Sequence, residues 1–181
     1  MMKTTCVALS LLVLLSASLY SQSGSIINTL GAGGTFTIKD GSTTFLTVSA
    51  GNVGIGTTTP QTRLDMAGDV ALQKNPNLFT LGISWNNNMD FGDYSFVEVN
   101  AQNYQCTLTG IANGVNGKII IIYCGQGNLR IGNMSTGSLA QNQIRTMSGA
   151  DIGTVDEGCV TLVYNTSSPW GAKWIVTSFM P

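Results

Sequence analysis

The stretch Gly51-Asn-Val-Gly-Ile-Gly-Thr-Thr-Thr-Pro60, continued by Gln61-Thr-Arg-Leu-Asp-Met-Ala-Gly-Asp-Val70, constrains the fold more than any other part of the chain. Val53, Ile55, Leu64, Met66 and Val70 are apolar, with small or polar residues between them. Period-two alternation of this kind predicts short strands, each with one buried face. Gly51, Gly54 and Gly56 mark bends or places where another backbone comes close. Pro60 removes a ladder donor and turns a corner. Strands this short and glycine-rich cannot bury a core alone, so they must pair with neighbouring chain or with copies of themselves.

The preceding segment, Ser25 to Ala50, carries weaker strand signals at Phe36-Thr-Ile38 and Thr44-Phe-Leu-Thr-Val48. Gly31, Gly33-Gly34 and the Lys39-Asp40-Gly41 turn separate them. The anchors are then Ile38, Phe45, Val48, Val53, Ile55, Leu64 and Met66, one or two per strand. Three chains pooling such anchors around one axis would bury them, so a homotrimeric stem over residues 22–72 is expected; a monomeric β-meander is the alternative. Gln73 to Leu78, with Asn75-Pro76-Asn77, reads as a hinge.

Strand signals strengthen from Phe79. Phe79 to Trp85, Tyr94 to Val99, Tyr104 to Thr109, Asn128 to Ile131, Gln143 to Met147, Cys159 to Tyr164 and Lys173 to Phe179 all read as strands. Lys118-Ile-Ile-Ile-Ile-Tyr-Cys124 is a continuous apolar run, which predicts a central strand buried on both faces. Seven or eight short strands separated by turns predict a β-sandwich or jelly-roll-like head over residues 73–181. The expected fold class is all-β, a short glycine-rich β stem followed by that head.

The run Gly51 to Pro60, with Leu64-Asp65-Met66 and Gly68-Asp69-Val70, resembles a module that recurs in phage tail fibres and in secreted bacterial fibre or adhesin-like proteins. The resemblance covers about twenty-five residues and implies architecture, with stems that are commonly trimeric. In the head, Leu108-Thr-Gly-Ile111, Gly114-Val-Asn-Gly-Lys118, Leu129-Arg-Ile131, Asn142-Gln-Ile144, Thr161-Leu-Val-Tyr164 and Trp174-Ile-Val176 follow the order of terminal domains in similar proteins. Two positions depart from that pattern. Asn165 follows Tyr164 where an acid is common, and Lys173 precedes Trp174 in place of a flanking arginine.

Met1-Met-Lys3, the apolar run Val7 to Leu15 and the small residues Ser16 to Ser21 read as a secretory signal peptide over residues 1–21. The run is too short to span a bilayer, and no membrane span is expected in the mature chain. An extracellular or cell-surface location follows. Cys106, Cys124 and Cys159 then remain. Cys106 and Cys124 flank an expected hairpin and are the candidate disulfide pair, with buried free thiols as the alternative.

Charged residues are only 9% of the chain and the net charge is −1, so no basic footprint for nucleic acid is present. Histidine is absent, which removes the usual general base and most zinc or copper sites. No metal site or catalytic residue is assigned. Acids cluster at Asp90 with Asp93 and at Asp151 with Asp156-Glu157, and a glycan-degrading enzyme would need two of them across a groove. Asn86, Asn88, Asp90 and Asp93 are the residues that would supply oxygens to calcium, though their spacing departs from the EF-hand loop. Exposed aromatics can stack on sugar rings while amides and carboxylates take the hydroxyls. The candidate ligand-binding residues are therefore Trp85, Asn86, Asn88, Asp90, Asp93 and Trp170; Trp174 reads as core. Asn133-Met-Ser135 and Asn165-Thr-Ser167 fit the glycosylation pattern, as chance matches. The reading is a secreted fibre-like structural or adhesion protein whose head attaches to a surface through a glycan or protein receptor. A purely structural matrix component and a glycan-degrading enzyme are the alternatives.

Overall fold

The structure is a computed structural model. It describes residues 29–154 and 157–181, apart from the side chains of residues 103 and 104. The expected signal peptide, its cleavage site and Asp156 lie outside these residues. Regular structure among the described residues is strand, with one 3-10 turn, η1, at Ala140–Asn142, so the fold is all-β. The chain divides into two compact units between Asp69 and Val70.

The first unit is a four-stranded sheet of β1 (Thr35–Asp40), β2 (Thr43–Ser49), β3 (Asn52–Ile55) and β4 (Leu64–Met66), in that order. β1, β2 and β3 are antiparallel neighbours, whereas β4 runs parallel to β3. Ala50 and Gly51 join β2 to β3 with φ of 52° and 78°. Two positive φ values give the turn whose twist matches a hairpin.

The crossover from β3 to β4 folds over one face of the sheet. Gly54 makes this possible, because a Cβ there would lie 2.8 Å from the Thr57 carbonyl oxygen and 3.4 Å from Pro60. The crossover is tied down by Val53 N donating to Arg63 O at 2.9 Å and by Asn52 Nδ2 donating to Pro60 O at 3.2 Å. Thr47, which pairs with Gly54, is buried beneath it.

The opposite face carries two complete cross-strand rows. Phe36, Val48, Val53 and Leu64 form one; Ile38, Leu46, Ile55 and Met66 form the other. All eight are apolar, and none is buried within the chain.

The second unit holds β5 (Phe79–Thr80), β6 (Ser84–Asn86), β7 (Phe96–Leu108), β8 (Ile119–Ile131), β9 (Ile144–Arg145), β10 (Ile152–Gly153), β11 (Gly158–Asn165) and β12 (Lys173–Met180). They form one mixed sheet in the order β5-β7-β8-β11-β12-β9, with β6 on β7 and β10 on β8. The separate strands expected over Tyr94–Val99 and Tyr104–Thr109 are one strand, β7. Likewise Lys118–Cys124 and Asn128–Ile131 are both β8.

Both long strands break register midway, at Asn100–Gln105 and just past Cys124. Beyond the break the neighbours change. β5 and β11 pair the first halves, β6 and β10 the second. Val97, Val99, Cys106 and Leu108 of β7, and Ile120, Ile122, Leu129 and Ile131 of β8, all enter one core with Val160, Leu162, Trp174 and Val176. Inward residues from both halves meet in a single core only if the sheet bends over it. The two layers expected of a sandwich are therefore joined through β7 and β8.

Two further expectations are corrected. β7 and β8 are parallel, so residues 109–118 are a crossover and not a hairpin turn. Gly114 sits flat on the Tyr164 ring, where any Cβ would clash, and Trp174 Nε1 donates to Ile111 O at 2.8 Å. The crossover is pinned onto Tyr164 and Trp174, which themselves meet edge to face at 5.2 Å. The apolar run in β8 is buried on one face only. Ile120, Ile122 and Cys124 are fully buried, while Ile119 is 51% exposed and Ile121 and Tyr123 are half-buried.

Candidate functional site

β6 is a short strand on the second half of β7, paired Ser84 to Cys106, Trp85 to Thr107 and Asn86 to Leu108. Ser84 has φ of 105°, outside the comfortable range of an L-residue. Asn86 is buried and holds the strained turn. Its Oδ1 accepts from Gly82 N at 2.8 Å, and its Nδ2 donates to Gly82 O at 3.0 Å. Between them Trp85 projects from the sheet, 61% exposed.

Asn87 and Asn88 continue into a polar network. Thr109 Oγ1 donates to Asn87 Oδ1 at 2.5 Å and lies 2.8 Å from Ser138 Oγ. Asn88 Oδ1 accepts from Leu139 N at 2.8 Å and from Asn142 Nδ2 at 2.9 Å. This ties the 135–139 loop onto the segment after β6. Gly137 permits the close approach, since a Cβ there would lie 2.7 Å from Asn87 Oδ1. The result is an open groove of about 330 Å³ lined by Trp85, Asn87, Ser135, Thr136 and Gly137. No ionisable side chain lines it.

Of the six candidate ligand residues, the structure therefore places Trp85 in a groove and spends the others differently. Asn86 and Asn88 are structural, their oxygens already accepting amide protons. Asp90 brackets a turn, accepting from Gly92 N at 2.8 Å and from Asn113 Nδ2 at 2.9 Å. Asp93 is exposed. Trp170 is 51% exposed in the β11–β12 turn, with the Arg145 guanidinium 4.7 Å from its ring centre. It does not line the Trp85 groove. Trp174 is core, as expected, with no exposed surface.

Three of the four side chains proposed for calcium, Asn86, Asn88 and Asp90, thus have oxygens already accepting from protein N–H groups. Among the described residues no group of three or more His, Cys, Asp or Glu could hold a metal ion. Asp151 pairs with Arg130 at 3.0 Å and accepts from Asn133 N at 2.8 Å. Asn133 itself, part of a glycosylation pattern, is a hub whose Oδ1 accepts from Arg145 and Thr146 while Nδ2 donates to Gly149 O.

The expected Cys106–Cys124 bridge is not formed; Cys106, Cys124 and Cys159 are free thiols. Parallel pairing sets Cys106 opposite Leu129 and Cys124 opposite Val99, on either side of the bend. Cys106 Sγ instead lies 3.4 Å from Ala101 O, and Cys124 Sγ 3.4 Å from Gln126 O. Burial pushes all three thiols above their ordinary range, and for Cys106 the neighbouring Cys124 adds to the rise. They are therefore held as neutral thiols, poor nucleophiles.

Sequence reasoning missed Asn87 and the Ser135–Gly137 loop. Asn87 lay inside the Asn-rich run, but nothing local distinguishes it from its neighbours. Its partner loop lies some fifty residues on, and only the fold joins them. Neither a protein-family model nor a curated protein matches the chain.

Proposed function

We propose that the protein is a secreted, fibre-like structural and adhesion protein that assembles as a homotrimer through its first unit and uses its second for attachment to a surface. One observation carries this reading, the pair of apolar rows on the β1–β4 sheet. A single-layer sheet with one uncovered apolar face is not a stable end state in water. Phe36, Ile38, Ile55, Leu64 and Met66 are between 37% and 56% exposed, and Leu46, Val48 and Val53 are half-buried. At roughly 150–200 Å² per large apolar side chain, the face leaves on the order of 400–500 Å² open per copy.

Two copies face to face would then bury about 800–1,000 Å² in one interface, and three around an axis about 1,200–1,500 Å² shared among three seams. Three copies are favoured because the opening motif resembles modules of stems that are commonly trimeric. No charged residue stands in either row, so copies meet without like-charge repulsion. Absence of charge at the centre is the composition expected of an obligate interface.

Light scattering of the mature chain after size exclusion tests the reading. A particle of three chain masses is expected, and Ile55→Asp, which sets one carboxylate per copy into the shared face, should yield single chains. Wild-type protein that runs as a single chain would refute assembly through this face.

A further inference from the structure

We propose that the Trp85 groove binds a neutral pyranose sugar, with the ring stacked on the indole and its hydroxyls taken by Asn87, Ser135 and Thr136. This rests on the attachment half of the reading above and names what the second unit attaches to.

The argument begins with the indole. A tryptophan 61% exposed on a sheet leaves a large flat apolar surface in water. The C–H face of a pyranose matches that surface, while its rim of hydroxyls needs donors and acceptors beside it. The groove supplies them on the other wall. Asn87 Oδ1 is already engaged by Thr109, which orients the amide and leaves Nδ2 to donate. Ser135 and Thr136 offer hydroxyls that can both donate and accept.

The wall is built. Asn88 grips Leu139 and Asn142, Thr109 bridges Asn87 and Ser138, and Gly137 lets the loop seat against Asn87. Trp85 stands between a strained Ser84 and a buried, doubly bonded Asn86, so its backbone is held on both sides. Strain at Ser84 is maintained by these bonds and fits a position where the side chain must project.

Size and charge define the ligand class. About 330 Å³ is near the lower limit of small-molecule sites, enough for one sugar ring and too little for a long glycan cleft. With no ionisable side chain on the lining, an acidic sugar gains no counter-charge and a neutral one loses nothing. A ligand of a dozen heavy atoms in an open groove binds with a Kd on the order of millimolar. A trimer displaying three grooves would convert that into useful avidity on a dense surface.

The test titrates the mature protein with the methyl glycosides of glucose, galactose, mannose, N-acetylglucosamine and N-acetylgalactosamine, up to about 100 mM to bracket a millimolar Kd. Methyl glucuronide is the charged control, and backbone amide chemical shifts of the labelled protein, which do not depend on the indole as reporter, are the readout. At least one neutral glycoside should give a saturable shift, with no response to the glucuronide. Trp85→Ala should abolish the shift and Trp170→Ala leave its Kd unchanged. Thr136→Val, which keeps shape and removes one hydroxyl, should raise Kd about tenfold. Unchanged melting curves show that the variants fold. The Ile55→Asp chain should keep the wild-type Kd for a monosaccharide, so loss of assembly and loss of binding are read separately. A wild type silent to all five neutral sugars, or a Trp85→Ala protein that binds as well as wild type, would overturn the proposal.

Discussion

Four glycines of the first unit form a graded series that tests its architecture. Gly31 has open space where a Cβ would be and carries no positive φ. Gly41 is equally open but has φ of 56°. Gly54 has an ordinary φ, yet an added Cβ would sit 2.8 Å from Thr57 O and 2.9 Å from Thr57 Cγ2. Gly56 combines φ of 72° with a Cβ position 2.9 Å from Ala67 O. Alanine at these sites separates backbone conformation from contact. Gly31→Ala should be neutral or slightly stabilising, because it only restricts the unfolded chain. Gly41→Ala should cost about 1 kcal/mol for the left-handed conformation alone. Gly54→Ala must displace a backbone carbonyl, not a flexible side chain. The crossover that carries it is fastened by Val53 to Arg63, Asn52 to Pro60 and Gln61 to Asp65. Overpacking against such a restrained segment costs about 1–3 kcal/mol. Gly56→Ala incurs both effects, about 2–4 kcal/mol by simple addition. Near 2 kcal/mol, a unit of this size should melt roughly 8–16 °C lower. Differential scanning calorimetry on the four variants reads the order directly. A Gly54→Ala protein that melts with Gly31→Ala would show that residues 56–63 do not lie over β3, and the account of the opening motif would fail with it.

Two further outcomes are expected. Asn86→Ala strands the amide and carbonyl of Gly82 in a part-buried turn, so urea denaturation should show a loss of about 2 kcal/mol, whereas Asp93→Ala, at an exposed site, should stay within about 0.5 kcal/mol; equal effects would return Asn86 to the list of ligand residues. The raised thiols of Cys106, Cys124 and Cys159 predict weaker stability in alkali. The native state keeps protons that the unfolded thiols release near pH 8.5, so their contribution is complete below that pH and is lost as pH climbs toward the folded values. Melting temperatures from pH 7 to pH 10 should fall more steeply for wild type than for the triple alanine variant, and parallel curves would refute this.

The strands of the first unit were legible because their alternation is undisturbed. Phe36–Ile38 and Thr44–Val48 lie within β1 and β2, and Val53, Ile55, Leu64 and Met66 share one face. In the second unit the same reading broke the long strands. Asn100-Ala-Gln-Asn103 and Gly125-Gln-Gly127 look like turns between elements, yet Ala101 is fully buried and Gly127 bends the strand at φ 81°. Strand direction was not legible at all, since period-two alternation is identical in parallel and antiparallel pairs. Every residue from Ile119 to Tyr123 is apolar, which predicts a two-sided strand, although Ile119, Ile121 and Tyr123 face outward in the single chain. At the candidate site, an exposed tryptophan beside an Asn-rich run was visible. Which asparagines serve the backbone and which serve a ligand depends on Gly82, Leu139 and Asn142, and no local pattern announces them.

The parallel pairing of β7 with β8 also bears on how fast the second unit can form. β7 and β8 are joined by the crossover of residues 109–118, and β9 pairs with β12, which is synthesised well after it. Non-local pairings of this kind require loop closure before any contact repays it, which slows folding. Until then the apolar run of β8 is open on both faces and is the segment most exposed to pairing with the wrong chain. Variants at the bend should therefore show themselves first in refolding rate and in aggregate formed during refolding, ahead of any change in the melting point of material that has already folded.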